Sequence, residues 1–103
     1  MEVPMYKKPL VIAGFACLAL SGMAGAADIH TRTIASTCMS CHGPGGKSQG
    51  TIPSLAGMDP DYFARLMQGF KTGTRSATIM QRHASGYTDT EITAMAAYFS
   101  TLK

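Results

Sequence analysis

The apolar positions between residues 58 and 73 follow the period of an amphipathic helix. They recur at i, i+3, i+4 and i+7, and they are Phe63, Leu66, Met67 and Phe70. Asp59 has the character of an N-cap, and Pro60 suits the first helical position because its missing N–H costs nothing there. Gly73 is typical of a helix end. The pattern predicts a helix that begins at Pro60 and stops at Gly73.

A second apolar stripe lies near the end of the chain. Its positions are Ile92, Met95, Phe99 and Leu102. Thr88 and Glu91 have the spacing of a capping box, in which each residue bonds the backbone of the other. Tyr87 and Ile92 flank that box as a hydrophobic staple. These features predict a final helix that starts just after Thr88.

The remaining segments predict one short helix and long loops. Residues 28–37 are mildly helical, residues 43–50 are rich in glycine and predict a loop, and residues 73–87 predict an irregular segment. No stretch alternates apolar and polar residues as a strand would. The predicted fold class is all-α, and loops this long in a small domain normally wrap a bound group.

The first 26 residues have the layout of a secretory signal peptide. Lys7 and Lys8 form a basic start, an apolar run follows from Leu10 to Leu20, and Ala24–Ala26 fits an A-x-A cleavage site. The run is shorter than the roughly 20 residues that span a bilayer. An uncleaved membrane anchor is the alternative. We therefore expect residues 1–26 to be removed, residues 27–103 to form one periplasmic domain, and no membrane span to remain.

The composition of residues 27–103 limits the possible functions. They carry seven basic and five scattered acidic residues, which excludes the concentrated positive charge of a nucleic-acid-binding surface. A chain of this length buries little apolar surface and usually needs a disulfide, metal or cofactor for stability. Cys38 and Cys41 are the only cysteines after the predicted cut, and a disulfide between them would close a trivial loop. A bulky cofactor is therefore expected.

The motif C-x-x-C-H spans residues 38–42 and identifies that cofactor as haem c. Two thiols at this spacing can add to the two vinyl groups of one haem, and the adjacent His42 then lies under the iron. A thioredoxin-like C-x-x-C would need a βαβ setting. A structural zinc site would need four ligands, and only His30 and His83 could complete the set.

We expect the second axial ligand to be one of the methionines that follow the motif. Met80 is the candidate because it lies in the segment predicted as irregular, whereas Met58 serves a predicted staple and two others lie on apolar helix faces. Methionine ligation raises the reduction potential and suits electron transfer. His83 is the competing ligand. The carbonyl of Pro53 is a candidate acceptor for the second ring N–H of His42.

The chain resembles a class I cytochrome c over nearly all of residues 27–103. The resemblance rests on the haem motif, the Pro53–Gly57 turn, Met80 and a last helix that ends Ala97–Phe99. It implies a small fold of helices and long loops wrapped around one covalent haem, with His42 and Met80 as iron ligands. It also implies that the Pro53 carbonyl accepts the proton of His42.

Residues 52–57, 59–62 and 70–73 resemble the cytochrome c4 and c553 group. Residues 78–82 and 86–89 are most similar to the cytochrome subunit of flavocytochrome c sulfide dehydrogenase. The resemblance implies an FAD-containing flavoprotein partner that oxidises sulfide, and a soluble acceptor such as another cytochrome. The chain itself would be an electron carrier. A free periplasmic c553-type carrier, with Lys71, Arg75 and Arg82 as a docking rim, is the alternative. A gas sensor or peroxidase would need an open iron site.

Overall fold

The computed structural model describes Glu2 and residues 27–103, and within them the chain folds into four α-helices without a strand. They are α1 (Ile29–His42), α2 (Pro60–Thr72), α3 (Met80–Ser85) and α4 (Asp89–Ser100), with a 3-10 turn at Pro44–Gly46. The expected all-α fold class is confirmed. Apart from Glu2, the predicted signal peptide, residues 1–26, lies outside the described residues, and its cleavage remains a prediction. None of the described helices is both long and apolar enough to cross a bilayer.

Helix α1 begins at a side-chain cap and runs through the whole C-x-x-C-H motif. Asp28 Oδ1 accepts a 2.6 Å hydrogen bond from the backbone N–H of Thr31, which satisfies a free amide of the first turn. The helix ends at Gly43, whose φ of 95° is a conformation that glycine adopts readily. The helix is longer than residues 28–37, which the sequence marked as helical.

Helix α2 has the bounds that its sequence predicts. Asp59 Oδ1 accepts from the backbone N–H of Tyr62 at 2.8 Å, Pro60 is the first helical residue, and Gly73 ends the helix with a left-handed φ of 79°. Of the predicted stripe, Phe63 and Met67 are buried, while Leu66 and Phe70 are half-buried. The prediction of this helix is confirmed.

The predicted capping box at the start of α4 is present. The hydroxyl of Thr88 accepts from the N–H of Glu91 at 3.1 Å, and Glu91 Oε2 accepts from the N–H of Thr88 at 2.8 Å. The predicted buried stripe is confirmed for three members, Ile92, Met95 and Phe99, while Leu102 lies beyond the helix end and is half-buried.

Helix α3 corrects the expectation that residues 73–87 are irregular throughout. It has no side-chain cap at Ile79 and only six residues, so no local pattern marks it. Its first turn is closed by the N–H groups of Arg82 and His83, which donate to the carbonyl of Ile79. Ala84 is completely buried, and the helix packs against α2. Tertiary packing therefore holds a helix that the sequence does not show.

The helices pack as α1 on α4, α2 on α4, and α2 on α3. The buried apolar residues form one small core, and its members are Ala35, Leu55, Phe63, Met67, Ala84, Ile92, Met95, Ala96 and Phe99. The Phe63 and Phe99 rings stack at 5.6 Å between centroids, which joins α2 to α4 at the centre of that core.

The loop between the 3-10 turn and α2 folds back onto the helices. The Gly46 carbonyl accepts from the N–H groups of Leu55 and Ala56 at 2.7 and 3.0 Å, and the Gly57 N–H donates to the Phe99 carbonyl at 2.9 Å. These backbone bonds fix the preceding Pro53 turn beside the end of α1.

Candidate haem site

Three side chains of the motif share the last turns of α1. Cys38, Cys41 and His42 are spaced i, i+3 and i+4, which places them on neighbouring positions of one helix face. Cys38 is half-buried and Cys41 is exposed, and both thiols are free rather than joined in a disulfide. The arrangement presents two thiols and an imidazole to a single bound group.

The surroundings of Cys38 favour the neutral thiol. Burial raises the pKa of the Cys38 thiol, and the neighbouring Thr37 hydroxyl offsets part of that rise. A structural zinc site would need four ligands, whatever the protonation of the free thiols. Among the described residues, moreover, no three His, Cys, Asp or Glu side chains are grouped so that they could hold a metal ion. The described part of the chain also contains no βαβ unit of the thioredoxin kind.

The hydrogen-bond partner of His42 determines which ring nitrogen carries the proton. His42 Nδ1 lies 2.6 Å from the carbonyl oxygen of Pro53. A carbonyl oxygen only accepts, so Nδ1 carries the proton and donates it, and in the neutral ring Nε2 keeps its lone pair. A hydrogen bond of this kind fixes the ring orientation and raises the basicity of the nitrogen that binds a metal.

The candidate ligands from the second half of the chain lie on α3. Met80 is the first residue of that helix and is half-buried, packed against the core. His83, the competing ligand, is exposed one turn later in the same helix. The structure thus brings Cys38, Cys41, His42 and Pro53 together and puts Met80 on a separate element.

These residues fit a covalently attached haem. Two free thiols one turn apart match two vinyl groups, the unbonded Nε2 of His42 suits iron, and the thioether of Met80 is a further soft donor.

The basic residues proposed as a docking rim have different partners. Lys71 Nζ donates to the Tyr87 carbonyl at 2.7 Å and to Asp89 Oδ1 at 3.3 Å. Gln68, then Lys71, lowers the pKa of the Asp89 carboxyl through hydrogen bonds. The Arg75 guanidinium lies 6.0 Å from the centroid of the Phe70 ring, and Arg82 is exposed on α3. Lys71 therefore ties α2 to the start of α4.

One contact beside the motif has no sequence signature. The hydroxyl oxygens of Thr37 and Tyr87 lie 3.1 Å apart, although the two residues are 50 positions apart in the chain. The sequence pattern indicates only a packing role for Tyr87, as part of the hydrophobic staple at the start of α4. A pairing over this distance depends on how α1 lies on the other helices, which no local pattern encodes.

Residues 25–99 match the family described as cytochrome c oxidase, cbb3-type, subunit III. The chain is also 46% identical over 66 residues to the cytochrome subunit of sulfide dehydrogenase from Chlorobaculum tepidum, which covers 64% of this chain and 60% of that protein. It is 39% identical over 95 residues to the thiosulfate dehydrogenase electron acceptor from Stutzerimonas stutzeri, which covers 84% of this chain and 44% of that protein.

A solved structure has the same fold. The cytochrome c4 of Acidithiobacillus ferrooxidans matches with a TM-score of 0.64 and 28% sequence identity, over 77% of this chain and 53% of that one. The chain thus spans less than two thirds of the length of each of these relatives.

Proposed function

The chain belongs to the cytochrome c domain family described as cytochrome c oxidase, cbb3-type, subunit III, and we propose that it relays electrons singly from a sulfide-oxidising flavoprotein to a soluble acceptor in the periplasm. Membership of the cytochrome c family gives the chain a covalent haem c. The observation that carries the proposed partner is the 46% identity to the cytochrome subunit of sulfide dehydrogenase.

The roles of the chain's own residues follow from the site. Cys38 and Cys41 hold the haem through thioether bonds, and His42 offers Nε2 to the iron while Pro53 fixes the ring. Met80 offers its sulfur as the second axial ligand. Haem c supplies reversible one-electron chemistry, and the protein tunes it through ligand choice and burial.

The two proposed ligands would bear on where sulfide reacts. If His42 and Met80 both held the iron, no position on it would be open to sulfide. Sulfide would then be oxidised within the flavoprotein, whose FAD would supply the two-electron chemistry, and this chain would take up the electrons without binding sulfide. The chain accepts each electron and releases it to a soluble acceptor such as another cytochrome before the next arrives.

Export to the periplasm is part of the proposal. The basic start at Lys7 and Lys8, the apolar run and the Ala24–Ala26 site support a cleaved signal peptide of residues 1–26. The family match begins at residue 25, beside the proposed cut, which supports a functional domain of residues 27–103.

A free carrier is the second candidate. It is favoured by the 39% identity to the thiosulfate dehydrogenase electron acceptor, which extends over 84% of this chain. In that case the haem domain would diffuse between an oxidising enzyme and its acceptor rather than remain attached to one flavoprotein.

Gel filtration of the native protein separates the two candidates. Periplasmic extract from the source organism is fractionated while haem and flavin absorbance are recorded, and sulfide is added to each haem fraction under anaerobic conditions. The subunit proposal predicts that haem and flavin co-elute at a mass far above that of the chain, and that sulfide reduces the haem in that peak.

The control is the same chain produced with haem but without a partner. It should elute at the size of a small protein and be reduced by sulfide much more slowly than the native peak. If the native haem elutes alone at that small size, the chain is a free carrier and the sulfide assignment is wrong.

A further inference from the structure

Tyr87 occupies the junction between the helix that carries Met80 and the last helix. It is half-buried, and its backbone N–H donates to the Ala84 carbonyl of α3 at 3.3 Å. Its own carbonyl accepts from Lys71 Nζ of α2 at 2.7 Å. The main chain at Tyr87 is therefore fixed to both α3 and α2.

The phenol of Tyr87 reaches a third element. Its oxygen lies 3.1 Å from Thr37 Oγ1 on α1. The Thr37 hydroxyl has a single proton, and that proton is donated to the Ile34 carbonyl at 2.7 Å. Thr37 Oγ1 is thus the acceptor, and the Tyr87 phenol is the donor. Thr37 directly precedes Cys38, the first haem-attachment residue.

This bond links α1, which bears His42, to the segment that directly follows α3, the helix that bears Met80. Helix α3 has six residues and no side-chain cap, and it packs on α2 rather than forming one of the main packed pairs with α1. Helix α1 carries His42 as its last residue, five positions after Thr37. A short helix with few anchors needs a further contact to keep a fixed distance from α1, and the Tyr87 ring spans that gap.

We propose that Tyr87 is a positioning residue for Met80: its hydrogen bond to Thr37 holds α3 at the distance from α1 at which the Met80 sulfur can stay on the iron. This inference rests on the proposed ligation by Met80. Loss of the phenol hydroxyl should loosen α3 and weaken the sulfur ligand, while the haem remains attached to Cys38 and Cys41.

The test is imidazole competition in the oxidised, haem-loaded protein. Imidazole replaces a weak methionine ligand, and the red charge-transfer band of sulfur-bound ferric haem disappears as it does so. In Tyr87→Phe we expect imidazole to bind about fivefold more tightly than in wild type, the effect of one ordinary intramolecular hydrogen bond. Thr37→Val should have the same effect, and Thr37→Ser, which keeps the hydroxyl, should behave as wild type.

Tyr98→Phe is the matched control. Tyr98 is also half-buried and packed on the core, but within residues 27–103 its hydroxyl makes no hydrogen bond. The Tyr98→Phe substitution should leave imidazole binding unchanged. The double variant Tyr87→Phe with Thr37→Val should bind imidazole no more tightly than either single variant, because both remove the same bond.

Two results would overturn the inference in distinguishable ways. If Tyr87→Phe lowers the unfolding midpoint measured by circular dichroism but leaves imidazole binding at the wild-type value, Tyr87 is merely structural. If wild type itself lacks the sulfur charge-transfer band, Met80 is not the ligand, and both that assignment and the positioning role fail.

Discussion

His42 shows how one hydrogen bond defines a ligand. The Pro53 carbonyl, 2.6 Å from Nδ1, places the proton on that nitrogen and leaves Nε2 available as the proposed iron ligand. Pro53 is suited to the position because its ring restricts the backbone and so holds the carbonyl in one place. The acceptor is a main-chain atom, so a substitution at Pro53 keeps the acceptor but removes the ring that restricts its position.

Replacing Met80 by Ala tests the second ligand. Met80→Ala should lose the sulfur charge-transfer band. It should also lower the reduction potential by about 0.08 V or more, a tenth of the range that axial ligands span. Spectroelectrochemical titration measures both. Met58→Ala, which removes another half-buried methionine, should keep the band. An unchanged potential in Met80→Ala would contradict ligation by Met80.

The haem motif can be recognised from the sequence, whereas the contacts around it cannot. The spacing of Cys38, Cys41 and His42 is a local property of one helix, so it could be recognised without a structure. The hydrogen bond between Thr37 and Tyr87 could not, because it depends on packing between residues 50 positions apart. The sequence favours Met80 because its segment has no helical pattern, and the structure instead places Met80 at the start of α3.

At the scale of elements, Gly43 forms the turn between α1 and the 3-10 turn at Pro44–Gly46. Its φ is 95°, and a Cβ there would lie 1.8 Å from the Lys47 carbonyl oxygen. Gly43→Ala should therefore cost more than about 2 kcal/mol in the free energy of unfolding, through steric overlap and backbone strain.

Chemical denaturation of the haem-loaded protein measures the cost. Gly50→Ala is the control, since nothing lies within 4 Å of a Cβ built at Gly50. It should change the free energy of unfolding by less than about 0.5 kcal/mol. Equal effects of the two substitutions would contradict the tight-turn explanation.

The capping box of α4 predicts a loss of stability in acid. The Thr88 backbone N–H lowers the pKa of the Glu91 carboxyl, and the side chain of His30 contributes through a 2.8 Å contact from α1. Because the folded pKa lies below the ordinary value of 4.5, the carboxylate stabilises the fold fully above that pH. This contribution is lost as the pH falls from there through the folded pKa.

Glu91→Gln isolates that contribution. Glutamine can still complete the capping box but does not titrate. The melting temperature of the variant should therefore fall less than that of wild type between neutral pH and a pH below 4.5. Asp61→Asn, at an exposed position of α2, should retain the wild-type dependence. An identical acid response in Glu91→Gln and wild type would contradict the prediction.

Caps explain which helices could be predicted. Helix α2 is delimited by Asp59, Pro60 and Gly73, and α4 starts at the capping box of Thr88 and Glu91. The ends of these two helices can therefore be recognised from a few residues of local sequence. Helix α3 has no such cap and is held by burial of Ala84 against α2. Its stability comes from tertiary packing, which cannot be seen in a segment considered alone.

At the scale of the whole molecule, the described core is thin and centred on Phe99. Three of its nine apolar residues are alanines, and Phe99 is fully buried, stacked on Phe63. Phe99→Ala should lower the free energy of unfolding by about 3–5 kcal/mol, through lost burial and the cavity it leaves. Tyr62→Ala, at a side chain that is 43% exposed, should cost far less.

Thermal unfolding of both haem-loaded variants tests this prediction. A small core gives each large side chain a large share of the total stability, which for domains of this size is about 5–15 kcal/mol. Near-wild-type stability in Phe99→Ala would show that the haem, rather than the α2–α4 contact, dominates the fold.

The relay proposal is tested most directly by rapid anaerobic mixing of sulfide with the haem-loaded chain, with and without its co-purified flavoprotein, while flavin and haem absorbance are followed together. We predict that the flavin is reduced first and the haem follows, and that the haem without flavoprotein stays oxidised over the same interval. Equal rates of haem reduction with and without the flavoprotein would contradict the proposed relay.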